Sequence, residues 1–446
     1  MKFVVAIASI ALAAGLVGCN STAAPEAKET AAPTPGGKLT GALEVQAFQG
    51  GYGIDFYQAS AKEFEKQHPD LKITVEGGPR VWESLTPRFA NGNPPDLTFP
   101  GWGMKHWDLA EEDQLVDLGP ALDGKAAEGD GTWRESFDPQ ILALGQLKGV
   151  QYTLPYYVMI YGWWYDPEVF KKNGWTVPKT YSELLTLSDK IKKKGMAPIT
   201  FQGKYPYYMI DGMLLPWVQS IGGIDAVNAA QNLEEGAWNS PAMVQATERI
   251  VELKKKGFFQ EGATSMSHTE AQQEFVQGKA AMVPCGSWLF SEMKKTMPAT
   301  AKMEYFLPPF IDGGKGDPTA VLIGIEPWMV PTEAKNKEAA IELFKYMTSL
   351  SVAKKFVQEK GTLMAIKGSD DGELPDVLKA PSKTLRESKA VYSVQFRHWY
   401  PTLSTELENG LTSLLNGQLT AQQFCDRAEA AADKVRKDPN ITKHKV

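Results

Sequence analysis

Between residues 43 and 75 the apolar positions change period twice. Leu43, Val45 and Ala47 alternate with polar neighbours, a turn follows at Gly50-Gly51-Tyr52-Gly53, and Tyr57, Ala61 and Phe64 then recur at helical spacing. Pro69-Asp70 stops that helix, and Leu71, Ile73 and Val75 alternate again. Strand, helix, strand in this order predicts a parallel sheet with helical crossovers. Downstream, Thr180 and Glu183 form a capping box ahead of a face of Leu184, Leu187 and Ile191, and Gly195 ends the helix. Ser240 caps a second helix with Pro241 at its first position and Gly257 at its end. Ala340, Leu343, Phe344 and Met347 line one stripe of a third helix, over 338–350. Short apolar strands are predicted at Ala197–Phe201, Ala280–Val283 and Ala320–Ile325, and the stretch after Pro381 reads as mostly helical. The fold class is therefore α/β.

The first 38 residues follow another logic. Lys2 precedes an apolar run from Phe3 to Gly18, too short for the roughly 20 residues that span a bilayer. It reads as a signal peptide, 1–18, and its ending, Leu16-Val17-Gly18-Cys19, looks like a bacterial lipobox with Cys19 as the lipidated residue. Residues 19–38, rich in Pro, Ala, Thr and Gly, cannot bury enough apolar surface to order themselves and read as a flexible tether. Localisation is thus expected to be extracytoplasmic, lipid-anchored to the cell membrane at a periplasmic face or cell surface.

With 446 residues the chain is long enough for two lobes. Its net charge of −6 argues against nucleic acid, which needs a clustered basic face. The five histidines, His68, His106, His268, His398 and His444, have no metal-ligand spacing, and no Gly-rich phosphate loop or nucleophile motif is present, so neither metal nor cofactor is expected. Beyond Cys19, the cysteines Cys285 and Cys425 are expected to be buried free thiols. Aromatic placement stands out: 152–165 reads YTLPYYVMIYGWWY, seven aromatics in fourteen residues, and Tyr205-Pro206-Tyr207-Tyr208 follows. Flat rings cover the C–H face of a pyranose and leave its hydroxyls free to hydrogen-bond. Rings in turns after strands are the candidates for exposure, since ligands of open α/β sheets sit at the strands' carboxyl ends.

Three stretches resemble the extracellular solute-binding proteins, family 1 type, of carbohydrate ABC importers: Gly92-Asn93-Pro94-Pro95-Asp96-Leu97, the segment Tyr165 to Gly174 with Pro178-Lys179-Thr180-Tyr181, and Phe275-Val276-Gln277-Gly278-Lys279-Ala280-Ala281-Met282. Gln202 to Met209 and Val283 to Leu289 look like the subgroup that binds N-acetylglucosamine and chitobiose. The resemblance implies a two-lobed periplasmic-binding-protein-like fold with a central ligand cleft and multiple hinge crossings. These are expected near Leu154-Pro155, near Pro308-Pro309 and after Leu363–Ile366, with lobe one at 39–153 and 312–365 and lobe two at 154–311 and 366–446. It further implies a monomeric receptor, not an enzyme, that captures a small carbohydrate by lobe closure and delivers it to ABC permease subunits in the membrane that holds its lipid anchor. Alternatives are another oligosaccharide or glycerol phosphate on the same fold, a secreted glycosidase, and a structural surface lipoprotein. The expected ligand contacts are Gln49, Tyr52, Trp102, Tyr156, Tyr157, Tyr207, Ser287, Trp288, Glu326, Trp328, Arg397 and Trp399. Aromatics would stack, and Gln49, Glu326 and Arg397 would hydrogen-bond hydroxyls or an acetamido group.

Overall fold

A computed structural model describes residues 38–101 and 103–446. The expected signal peptide, Cys19, the tether apart from Lys38, and Trp102 lie outside the described residues.

The first sheet consists of β1 (Gly41–Phe48), β2 (Leu71–Gly78) and β3 (Leu97–Phe99), all parallel, in the order β2-β1-β3. The predicted alternation sets the register: Leu43 pairs with Ile73 and Val45 with Val75, and the helix Asp55–Gln67 makes the crossover. Asp96 pins the Pro-Asp turn into this sheet. One carboxylate oxygen accepts the Glu44 N–H and the other the Asn336 N–H, each at 2.8 Å.

After a hairpin of β4 (Gln146–Leu147) and β5 (Val150–Gln151), the chain enters β6 (Leu154–Tyr165), whose residues are nearly all buried. A strand without alternation is one covered on both faces. Around it gather β7 (Ala197–Ile199), β8 (Ala280–Gly286), β9 (Glu304–Phe306), β10 (Val321–Trp328), β11 (Leu363–Met364) and β12 (Val391–Ser393), in the order β12-β10-β6-β8-β7, with β9 and β11 also on β6. The lower half of β6 pairs with β11 and the end of β10, and its upper half pairs with β8 and β9. β10 begins beside β12 and continues into Met329, which exchanges backbone hydrogen bonds of 3.0 and 2.9 Å with Thr98 of β3. The chain leaving β10 therefore reaches from one sheet to the other.

Tyr156 and Tyr157, next to the crossing expected near Leu154-Pro155, lie inside β6, and Glu326 and Trp328, just past the expected strand Ala320–Ile325, lie inside β10. Pairing across the two strands satisfies the backbone there, so neither position opens into a loop. The register shifts between Ile325 and Pro327, so that Glu326 alone on β10 faces both Tyr156 and Tyr157 on β6, as at a β-bulge. Past the expected crossing at Pro308-Pro309, Ile311, Ala320 and Leu322 pack into the second apolar core with Trp163, Trp217 and Leu407.

Local signals act as predicted in the helices. Thr180 and Glu183 make the capping box of Tyr181–Lys193, and Ser240 caps Pro241–Lys255. Cys285 and Cys425 are buried free thiols. The helix Tyr181–Lys193 packs its apolar stripe, Leu184, Leu187 and Ile191, into the second core.

Candidate functional site

Where β1 ends, the Gly53 N–H closes a tight turn onto the Gly50 carbonyl at 3.0 Å, with Gly53 in the left-handed region at φ 70°. Tyr52 leaves this turn inward and meets Tyr157 edge-on at 4.7 Å. Burial pushes its phenol well above the ordinary range, against the opposing influence of the Thr362 and Ser287 hydroxyls beside it. Ser287 itself stands just beyond β8: its N–H donates to the Ile160 carbonyl at 3.0 Å, and its Oγ accepts the Ile160 N–H at 3.3 Å. Gly51 comes so near the helix Leu289–Met293 that a Cβ on it would lie 3.0 Å from Glu292 Cγ. The turn after the first sheet thus touches the element that follows β8.

Two sets of rings flank this contact. On the second sheet Trp288 folds back over Gly286, where a Cβ would stand 1.9 Å from the indole, and it meets Tyr161 and Tyr208 edge-on at 5.3 and 5.9 Å. On the first sheet Trp82 rests on Gly103, where a Cβ would come within 2.3 Å of its ring, and Phe48 lies 6.2 Å from Trp82. Phe48 and Tyr161 each pack against both apolar cores. Sequence reasoning missed Phe48, Trp82, Tyr161 and Tyr208. The signal available was glycine close to the strand ends, at Gly101, Gly103 and Gly286, where a bare backbone lets an aromatic face lie flat.

Behind the second ring set is a buried ion pair. Asp211, fully buried on the π-helical turn Ile210–Leu214, accepts from both Nη atoms of Arg397 at 2.8 and 3.0 Å. Such turns are rare and concentrate at functional places. The guanidinium lies 5.0 Å from the centre of the Tyr207 ring, and the Tyr208 ring stacks on Tyr207 at 4.6 Å. Asp211 holds Arg397 above its usual range against the effect of burial, and the bidentate geometry is that of an ionised pair.

Glu326 at the bulge is buried and accepts from the Tyr57 hydroxyl at 3.4 Å; burial pushes its carboxyl well above the usual range. Tyr57 also meets Trp328 and Tyr156 edge-on at 5.0 and 5.5 Å.

The expected contacts thus divide. Tyr52, Ser287, Trp288 and Tyr207, together with Arg397, fall around the junction between the turn after β1 and the end of β8. Tyr157 reaches it through Tyr52 and also stacks on Phe356 at 5.8 Å. Gln49 is exposed beside the turn. Tyr156 and Trp328 are enclosed in the first core among Tyr57, Phe344 and each other. Trp399 is buried in the second core against His444 at 5.4 Å. Those three have no open face for a ligand here. Arg397, expected to reach a sugar hydroxyl, instead has both Nη atoms committed to Asp211.

Among the described residues no group of three or more His, Cys, Asp or Glu could hold a metal ion, and no helix is long and apolar enough to cross a membrane. What the arrangement offers is aromatic faces with hydroxyl, amide and carboxyl groups between them, the elements of sugar recognition.

Comparison with known proteins supplies the family. The chain is 29% identical to the diacetylchitobiose binding protein NgcE of Streptomyces coelicolor over 99% of this chain and 96% of that one. It is 22% identical to the multiple sugar-binding protein of Streptococcus mutans, over 82% and 81% of the two chains. Among solved structures, a chitin oligosaccharide binding protein superposes with a TM-score of 0.72 at 22% identity, over 88% of this chain and 98% of that one. RafE in complex with raffinose superposes with a TM-score of 0.70 at 20% identity, over 89% and 99%. These structures establish the two-lobed solute-binding fold. Residues 50–354 match the model of the bacterial extracellular solute-binding protein family, and the chain belongs to that family.

Proposed function

We propose that this chain is the receptor of a carbohydrate ABC importer and that its ligand is N-acetylglucosamine or chitobiose. The observation that carries the reading is the full-length similarity to a diacetylchitobiose binding protein, joined to ring sets at the ends of β1 and β8. Sugar would bind one lobe and draw the other over it, shifting the population toward the closed form that a permease reads. The lobes would divide near the end of β10, where Met329 bridges to Thr98 of the first sheet, and beside the start of β6, which pairs with it. Tyr52, Tyr207, Ser287 and Trp288 are the proposed contacts from the sequence, with Phe48, Trp82, Tyr161 and Tyr208 added; Gln49 and Trp102 flank them in the chain. Cys19 would carry the lipid that keeps a monomeric receptor at the outer face of the cell membrane. No catalytic step is proposed: the role is capture and delivery.

A thermal-shift screen of the soluble form, begun after the tether, tests this with N-acetylglucosamine, chitobiose, cellobiose, xylobiose, maltose and glycerol phosphate. Ligand at about 100 times its Kd adds about 2.7 kcal/mol of stability. A shift with the N-acetylated sugars alone supports the reading. A shift with another sugar keeps the transport role and removes the ligand, and no shift with any of them removes the carbohydrate role. Product release from chitobiose on long incubation would instead reveal a glycosidase.

A further inference from the structure

Three of the five histidines, His106, His398 and His444, meet at one place although the sequence sets them far apart. His106 opens the helix His106–Glu111, which follows β3. That segment is tied to the side of the first sheet. The Val116 N–H donates to the Val330 carbonyl and the Thr332 N–H to the Gln114 carbonyl, both at 2.9 Å, and Met329 just before Val330 bonds to β3. His398 lies in the helix Phe396–Trp399, just past β12. Gln231 fastens that helix to the second sheet: its side-chain oxygen accepts the Gln395 N–H at 2.6 Å, and its amide donates to the Ser393 carbonyl of β12 at 3.0 Å. His444 is held on the same side, with its N–H donated to the Tyr400 hydroxyl at 2.8 Å. Two contacts join the sides. The ring of His106 stands 5.6 Å from that of His398, and His444 Nε2 lies 3.7 Å from Asp108 Oδ1. Met104, Trp107 and Ala110 share one apolar core with Phe396, Trp399 and Tyr400, and His106 and His444 are each only 3% exposed.

The groups facing His106 pull in both directions. His444 opposes a proton there, while Asp108 and the Met104 backbone favour one. Asp108 is itself shared between His444 and Lys105, the latter at 3.5 Å, and Arg397 beside His398 is committed to Asp211. Burial outweighs the favourable groups. A neutral imidazole is at ease in this contact, whereas an imidazolium loses its hydration there. We infer that His106, meeting His398, and Asp108, meeting His444, form a clasp between the two lobes that holds the receptor closed and that acid releases. These are positioning residues: they touch no sugar and act on the balance between open and closed forms. The clasp rests on the lobe division proposed above and not on the identity of the sugar. Its sign follows from linkage. A group whose closed-state value is depressed supports closure at high pH and withdraws that support as pH falls. With His106 at its ordinary 6.5 when open and about 4 when closed, closure weakens by up to about 10-fold between about pH 7.5 and about pH 5.5. Charging His444 beside Asp108 works the other way and trims that figure.

Two measurements at these pH values and fixed ionic strength test it, on residues 36–446, which form one compact unit. One is calorimetric titration with chitobiose, and the other is small-angle scattering of the protein without sugar. From about pH 7.5 to about pH 5.5 the wild type should lose about 3- to 10-fold in affinity, and its radius of gyration should grow. His106→Gln cannot take up the proton, so both pH dependences should largely vanish, whatever its affinity at neutral pH. If His106→Gln melts early, Asp108→Asn is the second variant. It removes the partner that rewards a charged His444, so its fall in affinity should be steeper than that of the wild type. Equal wild-type affinity at both pH values overturns the clasp, as does a fall in His106→Gln as steep as in the wild type. A rise in affinity in acid overturns it too and makes His444–Asp108 the controlling contact. If chitobiose does not bind at all, the proposed ligand fails, and the scattering alone decides the clasp: an unchanged radius of gyration overturns it.

Discussion

Replacing Arg397 with Met would leave the Asp211 carboxylate buried with its guanidinium gone. Both Nη atoms of Arg397 bond that carboxylate at 2.8 and 3.0 Å, the Asp211 side chain is 1% exposed and that of Arg397 22%. Breaking a buried pair from one side costs about 3–5 kcal/mol, because the remaining charge is uncompensated. At about 2 cal/mol/K per residue that is a drop of roughly 4–6 °C in Tm. The loss should depend on pH in a defined direction. Without Arg397 only burial acts on Asp211, and burial raises its carboxyl above the unfolded value of about 3.9. A carboxyl whose folded value is raised contributes stability that is present below the unfolded value and disappears as pH climbs through the folded one. The deficit of Arg397→Met should therefore be smaller near about pH 4.5 than near about pH 7.5. Urea unfolding followed by tryptophan fluorescence at both values gives the comparison directly. Adding Asp211→Asn to Arg397→Met should restore much of the neutral-pH loss, since it removes the stranded charge. A deficit below about 1 kcal/mol, equal at both pH values, would refute the view that this is a desolvated, structurally committed ion pair.

Three further outcomes follow from the same reasoning. Glu326→Gln should stabilise the protein at neutral pH and above, with the gain fading toward pH 4.5, because burial raises the Glu326 carboxyl and its ionisation opposes folding; melting curves across that range check the sign. His106 is held down at about 4 rather than 6.5 by burial and by the neighbouring His444, against the pull of Asp108 and the Met104 backbone. With its folded value depressed, its share of stability is complete above about pH 6.5 and lost as pH falls through about 4, up to about 3 kcal/mol, and His106→Gln should flatten that slope in denaturant titrations. Gly286→Ala places a Cβ 1.9 Å from the Trp288 ring, so it should cost about 1–3 kcal/mol in unfolding experiments and weaken sugar binding by displacing that indole.

Much of this molecule was local enough to read from its residues. The alternation in Leu43, Val45 and Ala47 and the capping box at Thr180 and Glu183 depend on neighbours a few positions away, and both elements form as expected. The Pro-Asp turn, too, marks a strand entry that Asp96 then secures. Choosing which aromatic rings face a ligand was a different problem. Within YTLPYYVMIYGWWY the period of a strand is hidden, because β6 is covered on both faces and every position is apolar. Nothing in that stretch separates Tyr156, expected to touch a ligand, from Tyr161, which was not, and only the packing of Tyr57, Phe344 and Phe356 around Tyr156 tells them apart. Arg397 and Asp211 lie 186 residues apart, and their pairing, which takes the guanidinium away from any sugar, has no trace in local sequence. The same holds for Glu292, which closes on Gly51 only when the helix after β8 meets the turn after β1. Backbone conformation is settled by short-range sterics and hydrogen bonding, which the sequence displays. Which side chains are left with a free face or an unmade bond depends on long-range contacts, and these exist only once the sheets have come together.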